Sequence, residues 1–146
     1  MKPQKFKVGF NLKALATPIN IQNIIDERGR LTVFENAKLL PFTIKRIYLL
    51  SEVSLESTRG QHAHKSLQQF IMCAQGSFSL KVSDGVNHQN LNLSLDGPGY
   101  FLDKGMWREL SNFQSGSIAL ILASEVYEAD DYINDFKEFQ KWKLVN

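Results

Sequence analysis

Two of the three histidines in this chain, His62 and His64, stand one residue apart in the stretch "RGQHAHK", between Arg59 and Lys65. On an extended strand residues i and i+2 point to the same face, so both imidazoles aim into one space. Imidazoles placed this way admit three readings. They can be satisfied by neighbouring hydrogen bonds and serve only the fold. They can ligate a metal, which needs a third and usually a fourth donor within reach. Or they can move protons, because an unperturbed imidazole titrates near pH 6.5 and works in either direction around neutrality.

Other residues could complete a site around the pair. Alternation in "FTIKRIYLLSEV" puts Arg46 and Tyr48 on one strand face and Ile47 and Leu49 on the other. Tyr48 could donate to a ligand oxygen; its alternative is a tyrosine at the core edge. Taken alone, Arg28, Arg46, Arg59 and Arg108 read as solvated surface cations. Lys65 is of opposite parity to the histidines and can point outward. Trp107 either walls in a ligand or packs in the core. His88, in "DGVNHQN", belongs to a turn where an exposed role is expected.

The elements that must position these residues read as short strands. "NIIDERGRLTVFE" holds a polar turn at Asp26 to Gly29 followed by an alternating strand. "QQFIMCA", the Gln75-Gly76 turn and "SFSLKVSDG" read as a hairpin. "HQNLNLSL" alternates, "YFLDKGMWRELSNF" is strand, turn and strand, and "SIALILAS" is a buried apolar strand. Such spacing predicts an all-β sandwich or barrel. In the tail "EADDYINDFKEFQKWK", Tyr132, Ile133, Phe136 and Phe139 follow helical spacing, which predicts one short C-terminal helix packed on the barrel or on a second subunit.

At 146 residues the chain is expected to be one domain, 1–146. Its net charge of +2 comes from scattered residues, so neither charge nor pattern indicates a nucleic-acid partner. Cys73 is the only cysteine, which rules out an internal disulfide and a thiolate zinc site, and its apolar neighbours predict burial. The N-terminus "MKPQKFKVGFNLKALATP" has no apolar signal core, and no apolar run is long enough to span a membrane. A soluble cytoplasmic protein without a membrane partner is expected.

"HAH", Gln68-Gln69 and Gly76, followed by Asp103, Gly105, Arg108 and Asn112, resemble the two motifs of the cupins. Where that family carries a glutamate ligand this chain has Gln68 and Gln69, and where it carries a histidine ligand it has Arg108. An amide is a poor replacement for a carboxylate and a guanidinium repels a divalent cation, so no metal is expected. Five ordered blocks narrow the likeness: "DERGRLTVFE", "PFTIKRIYLL", "RGQHAHKSLQQFIMCAQGSFSL", "GMWRELSNF" and "LASEVYEADDYINDFKEF". Together they resemble the sugar-nucleotide 3,4-ketoisomerases, small metal-free cupins, over about residues 20 to 142.

The resemblance implies a jelly-roll barrel without a cofactor. It also implies a homodimer that can exchange strands between subunits. The implied substrate is dTDP-4-keto-6-deoxyglucose, converted to a dTDP-3-keto-6-deoxyhexose on the way to the deoxyamino sugars of surface polysaccharides. That chemistry moves a carbonyl from carbon 4 to carbon 3 through an enediol, and needs a base, an acid and donors for the oxygens. His62 and His64 are the expected acid–base pair, with Tyr48 as donor. Arg28, Arg46, Arg59, Lys65, Gln69, Trp107 and Arg108 are the expected substrate contacts. The alternatives are a dTDP-sugar 3,5-epimerase, a non-catalytic sugar-nucleotide-binding cupin, and a metal-dependent dioxygenase.

Overall fold

The computed structural model describes residues 14–35 and 39–146, so most of the N-terminal stretch read above for targeting signals lies outside the described residues. Strands β1 (Thr17–Ile19), β4 (Arg46–Leu50), β6 (Gln69–Gln75), β9 (Gly99–Leu102) and β11 (Ile118–Ala123) form a five-stranded sheet in the order β1-β9-β6-β11-β4. A second five-stranded sheet, ordered β12-β5-β10-β7-β8, joins β5 (Arg59–His64), β7 (Ser77–Ser83), β8 (His88–Ser94), β10 (Trp107–Ser111) and β12 (Tyr132–Ile133). Among the described residues, strands β2 (Gln22–Asp26) and β3 (Gly29–Val33) pair only with each other. The sheets face one another as the expected cupin jelly roll.

Patterning explains the layers. Along β7 the buried residues Phe78, Leu80 and Val82 alternate with Ser77, Ser79 and Lys81, as one buried face requires. They meet Ile71, Cys73, Ala119 and Ile121 of the opposite sheet in the main core. The central strand β6 is buried on both faces, because Phe70 and Met72 on its outer side pack with Ile19, Leu40, Phe101 and Leu122.

Two readings of the sequence are corrected. The Gln75-Gly76 turn does not close a hairpin: β6 pairs with β9 and β11, whereas β7 pairs with β8 and β10, so the chain crosses between sheets. Gly76 makes that corner at φ 73°, where a Cβ would lie 2.3 Å from Ser117 Oγ. A tight glycine turn suits either outcome, and the partners that bury each strand decide which one forms. The tail also divides. Ala129–Asp131 is a 3₁₀ turn, Tyr132 and Ile133 extend as β12 along β5, and the helix, α1, spans Phe136–Val145. Asp135 caps it by accepting the Glu138 N–H, so Tyr132 and Ile133 fall outside the helix.

Helix α1 holds the tail in place. Phe139 is fully buried with Ala63, Trp107 and Ile133, and Lys143 and Gln140 donate to the carbonyls of Gly105 and Gly85. No helix among the described residues is long and apolar enough to cross a membrane. Truncating Phe139 to alanine should cost about 3–5 kcal/mol through lost burial and the cavity left behind. Urea unfolding checks this; a midpoint no lower than that of Lys137→Ala, on the exposed side, would show that Phe139 is not the anchor.

Candidate active site

A cavity of about 450 Å³ opens between the sheets, a volume suited to a small organic ligand. Arg46 and Tyr48 reach it from β4, Arg59, Gly60 and His62 from β5, Gln69 from β6, Arg108 from β10 and Tyr132 from β12. Leu50, Ile71, Leu110 and Ile121 supply its apolar lining.

A β-bulge aims His62. Arg108 pairs with His62 and Glu109 with Gly60, which leaves Gln61 as the extra residue. Gly60 and Gln61 both take left-handed backbone, at φ 83° and 55°, and a Cβ on Gly60 would stand 2.9 Å from the Arg108 carbonyl oxygen. The bulge brings the Gly60 carbonyl within 3.0 Å of His62 Nδ1. A carbonyl only accepts, so Nδ1 carries the proton and Nε2 keeps a free lone pair. Burial, then the Arg108 cation, lowers the His62 pKa to about 4 against the opposing pull of the Gly60 bond. The ring is therefore a neutral acceptor at neutral pH.

His64 is different. The two rings share a strand face, as the spacing requires, with centroids 4.8 Å apart. Yet His64 is wholly buried and does not line the cavity. Its Nδ1 lies 2.9 Å from Asp131 Oδ2, while Asp131 Oδ1 accepts the Ser66 N–H at 2.7 Å. The Tyr132 ring packs against both imidazoles, at 4.9 Å from His62 and 4.4 Å from His64. Burial first, then Arg108 and His62, holds the His64 imidazolium well below the usual range.

Three residues link the buried side of the site to its lining. Arg108 is fully buried; its two terminal nitrogens donate to Gln69 Oε1 at 2.8 Å and to the Met106 carbonyl at 2.7 Å. Burial lowers its pKa to about 10, which leaves it cationic at neutral pH. Gln69 in turn donates to the Tyr48 hydroxyl at 2.7 Å. Burial raises the Tyr48 pKa although Arg108 and Arg46 oppose it, so the phenol stays protonated. Arg46 lies 5.0 Å over the Tyr48 ring, and its buried Nε has no hydrogen-bond partner among the described residues. Gln69 and Arg108, at the positions where cupins hold ligands, bond to each other. Among the described residues no cluster of three His, Cys, Asp or Glu side chains could hold a metal.

Not every expected residue gathers here. Arg59 lines the cavity from an exposed position. Lys65 points away, as its parity allows, and donates to the Asp130 carbonyl. Arg28 stands in the β2–β3 turn with its side chain 84% exposed and paired to Asp26, away from the cavity. Trp107 lies outside the cavity lining: it is core, packed on Phe136 and Phe139, and its indole N–H donates to Glu109. Adjacent residues on a strand face opposite ways, so a tryptophan beside a cavity-facing Arg108 has to look outward into the helix contact. The sequence reading missed Asp131 and Tyr132, since helical spacing claimed the tail. The signal that could have found them was Asp135-x-x-Glu138, which starts the helix four residues after Asp131.

Comparison with known proteins gives a consistent picture. The family model FdtA (WxcM-like, C-terminal) matches residues 15–144. A TDP-4-oxo-6-deoxy-alpha-D-glucose-3,4-oxoisomerase from Aneurinibacillus thermoaerophilus is 37% identical over 124 residues, 85% of this chain and 89% of that protein. A 3,4-ketoisomerase from Helicobacter canadensis superposes with a TM-score of 0.84 at 38% identity, covering 88% of this chain and 97% of its own. A histidine-to-asparagine variant of the 3,4-ketoisomerase QdtA from Thermoanaerobacterium thermosaccharolyticum, in complex with TDP-4-keto-6-deoxyglucose, superposes at 0.85 with 31% identity, covering 88% and 94% of the two chains.

The low pKa of His62 is measurable without a ligand. Its imidazole Cε1 proton should titrate near pH 4, well below the ordinary imidazole value of 6.5. Because the folded pKa lies below the unfolded value of 6.5, the folded state binds fewer protons, and stability should fall as pH drops from 6.5 to 4. A midpoint of 6 or above in the NMR titration would refute the desolvated, cation-flanked environment.

Proposed function

The chain belongs to the FdtA family, and on that premise we propose that it isomerises dTDP-4-keto-6-deoxyglucose to a dTDP-3-keto-6-deoxyhexose. The observation that carries this reading is the bond from His62 Nδ1 to the Gly60 carbonyl, which leaves a neutral imidazole with a free Nε2 beside a tyrosine hydroxyl, the buried Arg108 and the half-buried Arg46.

The ketone at carbon 4 acidifies the proton on carbon 3. His62 Nε2 takes that proton, the electron pair becomes the double bond between carbons 3 and 4, and negative charge develops on the carbon 4 oxygen. Tyr48 donates its proton to that oxygen, with Arg46 and Arg108 as nearby positive charge. The enediol then gives the carbon 3 hydroxyl proton back to Tyr48, and the His62 imidazolium delivers its proton to carbon 4. Atoms and charge balance, and no redox cofactor or metal enters. His64, away from the cavity surface, takes no proton in this scheme, so the expected pair is narrowed to His62. Arg59 is the cation assigned to the diphosphate.

The reading includes a homodimer acting in the cytoplasm, each chain one domain, upstream of amination at carbon 3. Ile24, Ile25 and Leu31 stand exposed on a hairpin that pairs with neither sheet. Among the described residues, strand β4 is a sheet edge, and its outer face exposes Ile47 and Leu49. Apolar patches and an open edge support exchange of strands with a second copy. Arg28 sits on that hairpin, so its role toward substrate rests on the exchange.

Incubation with dTDP-4-keto-6-deoxyglucose in deuterated water should move the ketone to carbon 3 in the product NMR spectrum. Deuterium at carbons 3 and 5 with the ketone in place would identify an epimerase instead, and an unchanged spectrum a binding module. His62→Asn should fold but lose about 10²–10⁴-fold in kcat, the usual contribution of a general acid–base group; full turnover would remove His62 as the base. Sedimentation should give a dimer, and a monomer at micromolar concentration would eliminate strand exchange.

A further inference from the structure

Behind Tyr48 lies a buried hydrogen-bonded chain that the scheme above leaves without a task. It runs from Asp131 through His64 and Gln69 to the Tyr48 hydroxyl, and Arg108 joins it at Gln69. We propose that Asp131 and Arg108 are positioning residues that set the direction of every hydrogen bond in this chain and so present Tyr48 to the substrate as a proton donor. The inference rests on the ketoisomerase reading for its consequence, though not for its geometry.

The argument starts at the two ends. A guanidinium can only donate, and Arg108 reaches the Gln69 side chain at 2.8 Å. The Gln69 amide oxygen must therefore face Arg108, which turns its NH₂ group the other way. That NH₂ has two hydrogens and two neighbours: the Tyr48 oxygen at 2.7 Å and His64 Nε2 at 3.5 Å. At the far end the Asp131 carboxylate can only accept. It takes the Ser66 N–H on one oxygen and stands 2.9 Å from His64 Nδ1 on the other. His64 therefore carries its proton on Nδ1, and its Nε2 is free to accept from Gln69.

The two ends agree on one polarity. An Nε2-protonated His64 would set two N–H groups against each other across 3.5 Å. A reversed Gln69 amide would set its NH₂ against Arg108 and pull the Tyr48 proton onto its own oxygen. Neither arrangement can be relieved by water, because His64, Arg108 and Gln69 are 0%, 1% and 2% exposed. With the native polarity the Tyr48 oxygen already accepts from Gln69. Its own proton is not used within this chain, and the ring lines the cavity where the substrate oxygens would lie.

Gln69→Glu separates this account from a packing role. The shape is kept and the Arg108 contact becomes charge-assisted, but the donor to Tyr48 is gone and the phenol must spend its proton on the carboxylate. We expect an unchanged or higher melting temperature, a nearly unchanged KM, and a kcat lower by about 10²–10³-fold, as when one preorganised donor is lost. In a Tyr48→Phe background the same change should add little, since both act through one hydroxyl. Independently of turnover, imidazole ¹⁵N shifts should report His64 as the Nδ1–H tautomer. In Asp131→Asn, whose amide must satisfy Ser66 with its oxygen, His64 should move to the Nε2–H form. A wild-type kcat in Gln69→Glu, fully additive losses with Tyr48→Phe, or an Nε2–H tautomer in the native protein would each overturn the proposal. A native protein that turns over no keto-sugar yet shows the Nδ1–H tautomer would sink the ketoisomerase reading and leave the fixed polarity standing.

Discussion

A cation with no carboxylate hydrogen-bonded to it among the described residues is held inside the sandwich at Arg108. Burying a charge that way is costly unless its donors are met, and Arg108 meets the requirement with an amide and a backbone carbonyl while its Nε stays without a partner among the described residues. The negative charge of Asp131 offsets part of that cost, and the guanidinium stays charged. Three features of the site trace to it. Its charge is the second cause, after burial, of the low pKa of both histidines. Its donors fix which way Gln69 faces. Its position, where related folds keep a metal ligand, is one that a divalent cation would avoid.

The rest of the site assembles around that charge from segments far apart in the chain. Strand β4 supplies Tyr48, β5 the bulged His62, β6 Gln69, and the tail Asp131 and Tyr132. Rigid strands set most of these positions, which suits groups that must hold hydrogen-bond geometry within a few tenths of an ångström. Two irregularities do the remaining placement. The bulge at Gln61 brings the Gly60 carbonyl onto its neighbour's ring. The two-residue strand β12 pairs Tyr132 with His64 and is held by the buried Phe139 of the following helix. Anchoring the tail is thus part of building the site.

The sequence made some of this legible and concealed the rest for identifiable reasons. Period-two alternation is local, so the shared face of Arg46 and Tyr48 and that of His62 and His64 could be read directly. Ligand-position arithmetic was enough to single out Gln69 and Arg108. The unequal surroundings of the two histidines could not be read, because they depend on Asp131, 67 residues from His64. Trp107 was ambiguous for a related reason: its neighbour Arg108 shows that the strand has two buried faces, and only the packed helix decides which of them is cavity. The Gln75-Gly76 corner looks like a hairpin because turn chemistry is the same for both. Which strand lies beside which is settled by burial across the whole sandwich.

A base with a pKa of about 4 is a weak one for removing a proton from carbon, and the surroundings that weaken it supply the remedy. Deprotonating carbon 3 of the proposed substrate turns two neutral groups into an imidazolium and an enediolate. Arg108 and Arg46 disfavour the first charge and favour the second, and the enediolate forms beside a Tyr48 hydroxyl already turned to donate. The cations therefore shift stabilisation from the base to the oxygen, where charge accumulates in the transition state. In the proposed complex the diphosphate enters beside Arg59, and its negative charge opposes the effect of burial and of the Arg108 cation on His62. In the empty cavity the imidazole resists protonation and stays ready to accept. In the proposed scheme that opposing charge lets the same ring hold the proton until it is returned to carbon 4.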